Sequence, residues 1–136
     1  VSAEDRKNAE TILAAVGETI WVDSESLIDS ITAISGSGPA YVFLFLEAMQ
    51  EAARELGLSS EAAQKLAIQT VMGASQLARD SSEPVDVLRQ RVTSKGGTTA
   101  AALDKMAASG VKTGLIAGMQ AAAARSRELG VELGRD

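Results

Sequence analysis

The sequence predicts an all-α domain, and three observations carry that expectation. Alanine fills 24 of 136 positions while aromatic residues make up only 3%. Alanine leads the helix-propensity order, whereas strands favour β-branched and aromatic side chains. Apolar residues recur at helical spacing along most of the chain, and Ser, Gly and Pro stand between those runs where helix caps are due. A core this short of bulky rings needs helices that approach one another closely.

The first helix opens at Ser2-Ala3-Glu4-Asp5, a hydroxyl cap followed by carboxylates in the turn where the helix dipole favours them. Ala9, Ile12, Leu13 and Val16 continue it, and Gly17 is placed to end it. Glu18-Thr19-Ile20-Trp21-Val22-Asp23 is short, β-branched and aromatic, and reads as a strand. A strand cannot satisfy its own ladder, and nothing downstream offers a partner. Residues 1–23 are therefore expected to be the tail of another domain, and a first residue of Val rather than Met points the same way.

From Ser24 onward only helices are expected. A short one covers about Ser26 to Ile34 and is interrupted at Ser35-Gly36-Ser37-Gly38-Pro39. The next runs from Pro39, which suits a first turn, to Leu56 and stops at Gly57. Its stretch Tyr41–Leu46 is apolar on every face and should be buried all round. Ser59 caps a helix of about Ser60–Arg79 in which Ala63, Ala67, Val71, Ala74 and Ala78 form a narrow small-residue stripe. Pro84 opens a short helix ending near Arg91. A Gly-rich loop, Thr93–Thr98, leads into a helix that ends at Gly110. The last helix, Val111–Leu129, carries Gly114 and Gly118 four apart, which suggests a neighbouring helix pressing close. Residues 132–136 read as a C-terminal tail.

Composition narrows the function. A length of 136 residues suits one compact domain. Thirteen basic residues against 18 acidic ones give a net charge of −5 and form no patch, so nucleic acid is not the expected partner. With no Cys, disulfides, thiolate zinc sites and cysteine nucleophiles are excluded, and with no His the commonest general base and metal ligand is missing. The longest unbroken apolar run, Ala40–Leu46, falls short of the roughly 20 residues a membrane span requires. We expect a soluble, cytoplasmic protein with no membrane or nucleic-acid partner and no metal.

Ser94-Lys95-Gly96-Gly97-Thr98-Thr99 is the most informative stretch. Paired glycines expose backbone N–H groups, the following helix adds its positive end, and two hydroxyls converge there, which together can build an anion pocket without a charged side chain. The plain alternative is a helix–helix turn with a Thr cap. The loop lacks the lysine position of a phosphate-binding P-loop. Ser35–Pro39 is either a functional turn or a helix break; its glycine spacing after a helix is not a dinucleotide fingerprint. Glu47 is a buried acid or the point where its helix meets solvent. Glu83 is read as a helix cap rather than a catalytic group.

Two segments carry a resemblance. Ile31-Thr32-Ala33-Ile34-Ser35-Gly36-Ser37-Gly38-Pro39-Ala40-Tyr41-Val42-Phe43 and Val92-Thr93-Ser94-Lys95-Gly96-Gly97-Thr98-Thr99 resemble the two signatures of pyrroline-5-carboxylate reductases. The likeness runs in one register over about residues 1–130 and takes in Asp29, Gln69-Thr70 and Gly73. It implies a two-domain enzyme whose N-terminal dinucleotide-binding half holds NADPH or NADH. Residues 1–23 would be the last helix and strand of that Rossmann-like half. Residues 24–131 would be the helical bundle through which two subunits intertwine as a homodimer, with room for higher oligomers of dimers.

The resemblance further implies reduction of 1-pyrroline-5-carboxylate to proline, hydride reaching the imine carbon and a proton the ring nitrogen. It assigns the substrate carboxylate to the loop formed by Ser94, Gly96, Gly97, Thr98 and Thr99, with the amides of Gly96, Gly97 and Thr98 as donors. The Thr99 hydroxyl would address the ring nitrogen as the catalytic group. Lys95 stands where the family usually has Pro, and altered spacing around Pro84 means no role is carried over to Glu83. No cofactor is expected on this chain by itself, which should be inactive alone. The competing readings are a helical oligomerisation module without chemistry and the C-terminal domain of a related hydroxy-acid dehydrogenase.

Overall fold

The computed structural model describes residues 1–134, and these form seven α-helices with short connectors. They are α1 (Ala3–Leu13), α2 (Ile28–Ile31), α3 (Gly38–Glu55), α4 (Ser60–Asp80), α5 (Val85–Arg91), α6 (Thr98–Ala108) and α7 (Val111–Leu133). A 3₁₀ turn, Glu25–Leu27, leads into α2, and a π turn, Thr32–Gly36, joins α2 to α3. No strand forms among the described residues.

Local chemistry explains the boundaries. At α1, the Ser2 hydroxyl accepts from the Asp5 amide while the Asp5 carboxylate accepts from the Ser2 amide, a reciprocal capping box. Helix α3 ends in paired bonds, Leu58 N–H to the Ala53 carbonyl and Gly57 N–H to the Arg54 carbonyl, both 3.0 Å. That Schellman arrangement needs a left-handed residue, and Gly57 supplies it at φ +94°. Two residues on, the Ser59 hydroxyl accepts from the Ala62 amide at 3.2 Å and starts α4. With so short a connector, α3 and α4 fold back as an αα-hairpin.

Several expectations need correction. Helix α1 stops at Leu13 and unwinds through single-turn bonds to Val16, short of Gly17. Glu18–Val22 takes no regular structure and Asp23 lies in a bend, with no second strand beside them among the described residues; Trp21 instead sits under the Arg6 guanidinium, 4.5 Å from the ring centroid. The Ser35–Pro39 interruption is milder than a break. The Ser37 amide reaches the Thr32 carbonyl at 2.8 Å, so the helical path widens by one residue and continues. Helix α7 runs past Leu129 to Leu133 and so takes in two residues of the expected tail. Arg125 braces that end, with its guanidinium 2.9 Å from both Glu128 and Glu132. Arg135 and Asp136, also assigned to that tail, lie outside the described residues.

Packing within the chain is sparse. The α4 stripe does its work at one end: Ala63 and Ala67 are fully buried in the α3–α4 hairpin. Ala33 is buried in the π turn against α7, where the Ser126 hydroxyl donates to Asp29 across 97 residues of sequence at 2.6 Å. No other apolar side chain among the described residues is buried. Phe43, Leu44 and Phe45 are at least half exposed, against the expectation that Tyr41–Leu46 is covered on all sides. A Cβ added at Gly114 or Gly118 would meet nothing within 4 Å, so the chain's own helices do not press on that face of α7. The chain exposes 10887 Å², whereas a compact 14.1 kDa monomer would expose about 6,700 Å². Because the π turn keeps the path helical, Glu25–Glu55 becomes a 31-residue helical path containing an 18-residue window of mean hydropathy 1.2, enough by length and composition to cross a membrane. Its length comes from two shorter apolar runs joined by the π turn.

Candidate functional site

The Ser94–Thr99 segment is built by a relay of local hydrogen bonds. At the end of α5 the Thr93 hydroxyl donates to the Arg89 carbonyl at 2.6 Å, and the Thr93 amide to the Gln90 carbonyl at 3.0 Å. The Gly97 amide then donates to the Ser94 carbonyl at 3.1 Å, closing a four-residue turn. Gly96 holds φ +73° and no non-glycine residue among the described residues has positive φ, which fits a type II turn with glycine at its third position. Proline is common at the second position of such turns, so Lys95 occupies a site that either residue can fill.

Gly97 is the N-cap of α6 and has no side chain with which to cap. The Thr cap of the plain-turn alternative is therefore not formed. The Ala101 amide makes the first intrahelical bond, to the Gly97 carbonyl at 3.2 Å, which leaves the amides of Thr98, Thr99 and Ala100 without helical acceptors. The first turn of α6 holds no acidic residue. These donors, backed by the helix dipole, favour a carboxylate or similar small anion. A Cβ on Gly97 would collide with the Ser94 hydroxyl and lie 3.2 Å from the Ser94 carbonyl; the hydroxyl can rotate away, the carbonyl cannot. An alanine there would have to turn the Ser94 side chain aside and shift the turn by a few tenths of an ångström.

Ser94, Lys95, Gly96 and Thr98 are exposed, and Gly97 and Thr99 half-buried, so the cradle lies open on this chain. The Gly97 amide, expected to face an anion, is engaged in the turn. Ser35–Pro39 belongs to the π turn and the start of α3, whose packing partners are α2, α4 and α7 rather than α6. Glu47 is exposed, where α3 meets solvent. Glu83 does not cap α5: Pro84 is the N-cap, and the Glu83 carboxylate pairs with the Arg91 guanidinium at the helix's far end. That pair went unseen because eight residues separate its members, outside the spacings at which helical neighbours meet. Among the described residues no cluster of three His, Cys, Asp or Glu could hold a metal ion.

Comparison with known proteins decides the family. The pyrroline-5-carboxylate reductase dimerisation family matches residues 25–129. The chain belongs to that family. A pyrroline-5-carboxylate reductase of Pseudomonas aeruginosa is 46% identical over 135 residues, 99% of this chain and 50% of the relative. One from Haemophilus influenzae is 42% identical over 125 residues, 91% of this chain and 46% of its own length. Among solved structures, a pyrroline-5-carboxylate reductase from Coxiella burnetii superposes with a TM-score of 0.90 at 46% identity, over 95% of this chain and 48% of that one. A Plasmodium falciparum pyrroline carboxylate reductase with NADP bound gives 0.88 at 34% identity, covering 96% and 49%. The chain spans about half the length of the curated relatives it matches.

Proposed function

We propose that this chain is the dimerising, substrate-binding half of a pyrroline-5-carboxylate reductase, which reduces 1-pyrroline-5-carboxylate to proline with NADPH or NADH. The observation that carries the reading is the Ser94–Thr99 turn. It delivers an uncapped helix N-terminus with no acidic residue in its first turn, on a chain of a family named for this reductase. In this reading the amides of Gly96, Thr98 and Thr99 bind the substrate carboxylate, Ser94 closes the turn beneath it, and Gly97 keeps side-chain atoms away. The Thr99 hydroxyl, half-buried on the second residue of α6, bonds the ring nitrogen and passes it a proton from water.

The described residues do not fit a dinucleotide. Such a cradle needs a strand, a Gly-rich turn and a helix in succession, and here the stretch before Ser24 forms no strand and leads into a 3₁₀ turn instead. The 136-residue chain should bind proline without reducing any imine. The partner proposed is a second copy, supported by the family's description and by the uncovered faces of α3 and α7.

The test is a hybrid in which this chain replaces the matching half of the Pseudomonas aeruginosa relative. A hydroxyl relaying a proton contributes within the range of general acid–base effects, so Thr99→Val should lower kcat roughly tenfold to a hundredfold and raise KM. An inactive hybrid that folds and dimerises would overturn the reading, and full activity of Thr99→Val would remove the threonine from the chemistry.

A further inference from the structure

Helix α5 has seven residues, too few to persist in water without support. Among the described residues it packs closely on no other helix. Its Val85, Leu88 and Val92 instead face Ala74, Leu77 and Ala78 of α4 across an open groove of ≈ 430 Å³. Yet the Ser94–Gly97 turn hangs directly from its C-terminal end. Whatever holds α5 helical also sets where the loop's amides stand.

The structure shows two local supports. One is the Thr93 hydroxyl on the Arg89 carbonyl. The other is the Glu83–Arg91 ion pair, which spans the helix from the residue before its N-cap to its last residue. Glu83 is itself held, its amide donating to the Ser81 hydroxyl at 3.0 Å. It is the more buried partner, with 31% of its side chain exposed against 66% for Arg91. Exposed ion pairs contribute little to global stability. A pair that bridges both ends of a two-turn helix acts instead on geometry, because it can form only while the helix is wound.

We infer that Glu83 and Arg91 are positioning residues: their ion pair keeps α5 wound and thereby fixes the Ser94–Thr99 turn that receives the substrate carboxylate. The inference rests on the proposed carboxylate site and adds how it is held. Glu83 acts through Arg91, not on the substrate.

A charge swap separates these roles. L-Proline, the proposed product, is titrated into the chain while the amide resonances of Gly96, Thr98 and Thr99 are followed. KM and kcat are measured in the Pseudomonas hybrid. Glu83→Gln and Arg91→Gln should each weaken proline binding and raise KM roughly three- to tenfold, with kcat within about twofold of the parent. The double variant Glu83→Arg/Arg91→Glu should return both to within about twofold, and Arg91→Lys should lose less than Arg91→Gln. Singles that bind like the parent would overturn the inference. So would a swap no better than the singles, or a Glu83→Gln that loses kcat while Arg91→Gln does not, since the carboxylate would then act alone. If the parent chain binds no proline and the hybrid is inactive, the carboxylate site itself fails, a result distinct from each of these. Far-ultraviolet circular dichroism on every variant confirms that the long helices remain.

Discussion

Between Gly38 and Asp80 two long helices lie side by side because alanines let them. Ala63 and Ala67 are buried between α3 and α4, and a Schellman turn and a serine cap fix the corner. Between Val85 and Ala108 the chain is held mainly by bonds to itself: a threonine hydroxyl, an ion pair along α5, a type II turn and a bare helix N-terminus. The first region is made by side chains meeting across distance in sequence, the second by backbone groups close in sequence. The contrast separates scaffold from site. Packing that depends on shape can present an apolar face to a second copy, while a turn that depends on hydrogen bonds can present donors to a small anion.

Changes that strike one region should spare the other, and four substitutions test this in falling order of effect. Phe43 is 66% exposed on α3, and burying a phenylalanine contributes roughly 1.5–3 kcal/mol. Phe43→Asp removes that from both copies of a symmetric interface. Sedimentation should show dissociation or aggregation, with about a hundredfold or greater loss of dimer affinity. Ala63→Leu overfills the hairpin seam and should cost about 1–3 kcal/mol in denaturant unfolding, with proline affinity unchanged in the protein that remains folded. Gly97→Ala should do the reverse, weakening proline binding roughly tenfold, about 1.4 kcal/mol, with Tm little moved. Lys95→Pro is the gentlest: the second position of a type II turn accepts proline, so unfolding should show about 0.4–1 kcal/mol of added stability. A loss there would contradict the turn assignment.

The two regions also differ in how much could be read from sequence. The corner at Gly57–Ser59, the start of α6 and the stop at Gly110 follow from capping rules that act over four or five residues, and each stands where expected. The paired glycines of the loop were legible for the same reason. No strand forms at Glu18–Asp23 among the described residues, because a ladder is a property of two segments and propensity in one cannot supply the other. The Ser126–Asp29 bond and the Glu83–Arg91 pair were invisible because no rule of local spacing links those positions. Ser35–Pro39 was read as an interruption, since its composition does not distinguish a break from a π turn. Gly114 and Gly118 predict a close neighbour; the chain's own helices do not provide one, which leaves that face for a second copy.

A second copy is what the uncovered faces of α3 and α7 await. Multi-angle light scattering of the chain at micromolar concentration, with and without lipid vesicles, tests it most directly, because Glu25–Glu55 could also be covered by a bilayer. The expected result is a stable species of twice the 14.1 kDa single-chain mass, or a higher even multiple, that ignores the vesicles. A well-behaved monomer of 14.1 kDa, or protein that leaves solution with the lipid, would contradict it.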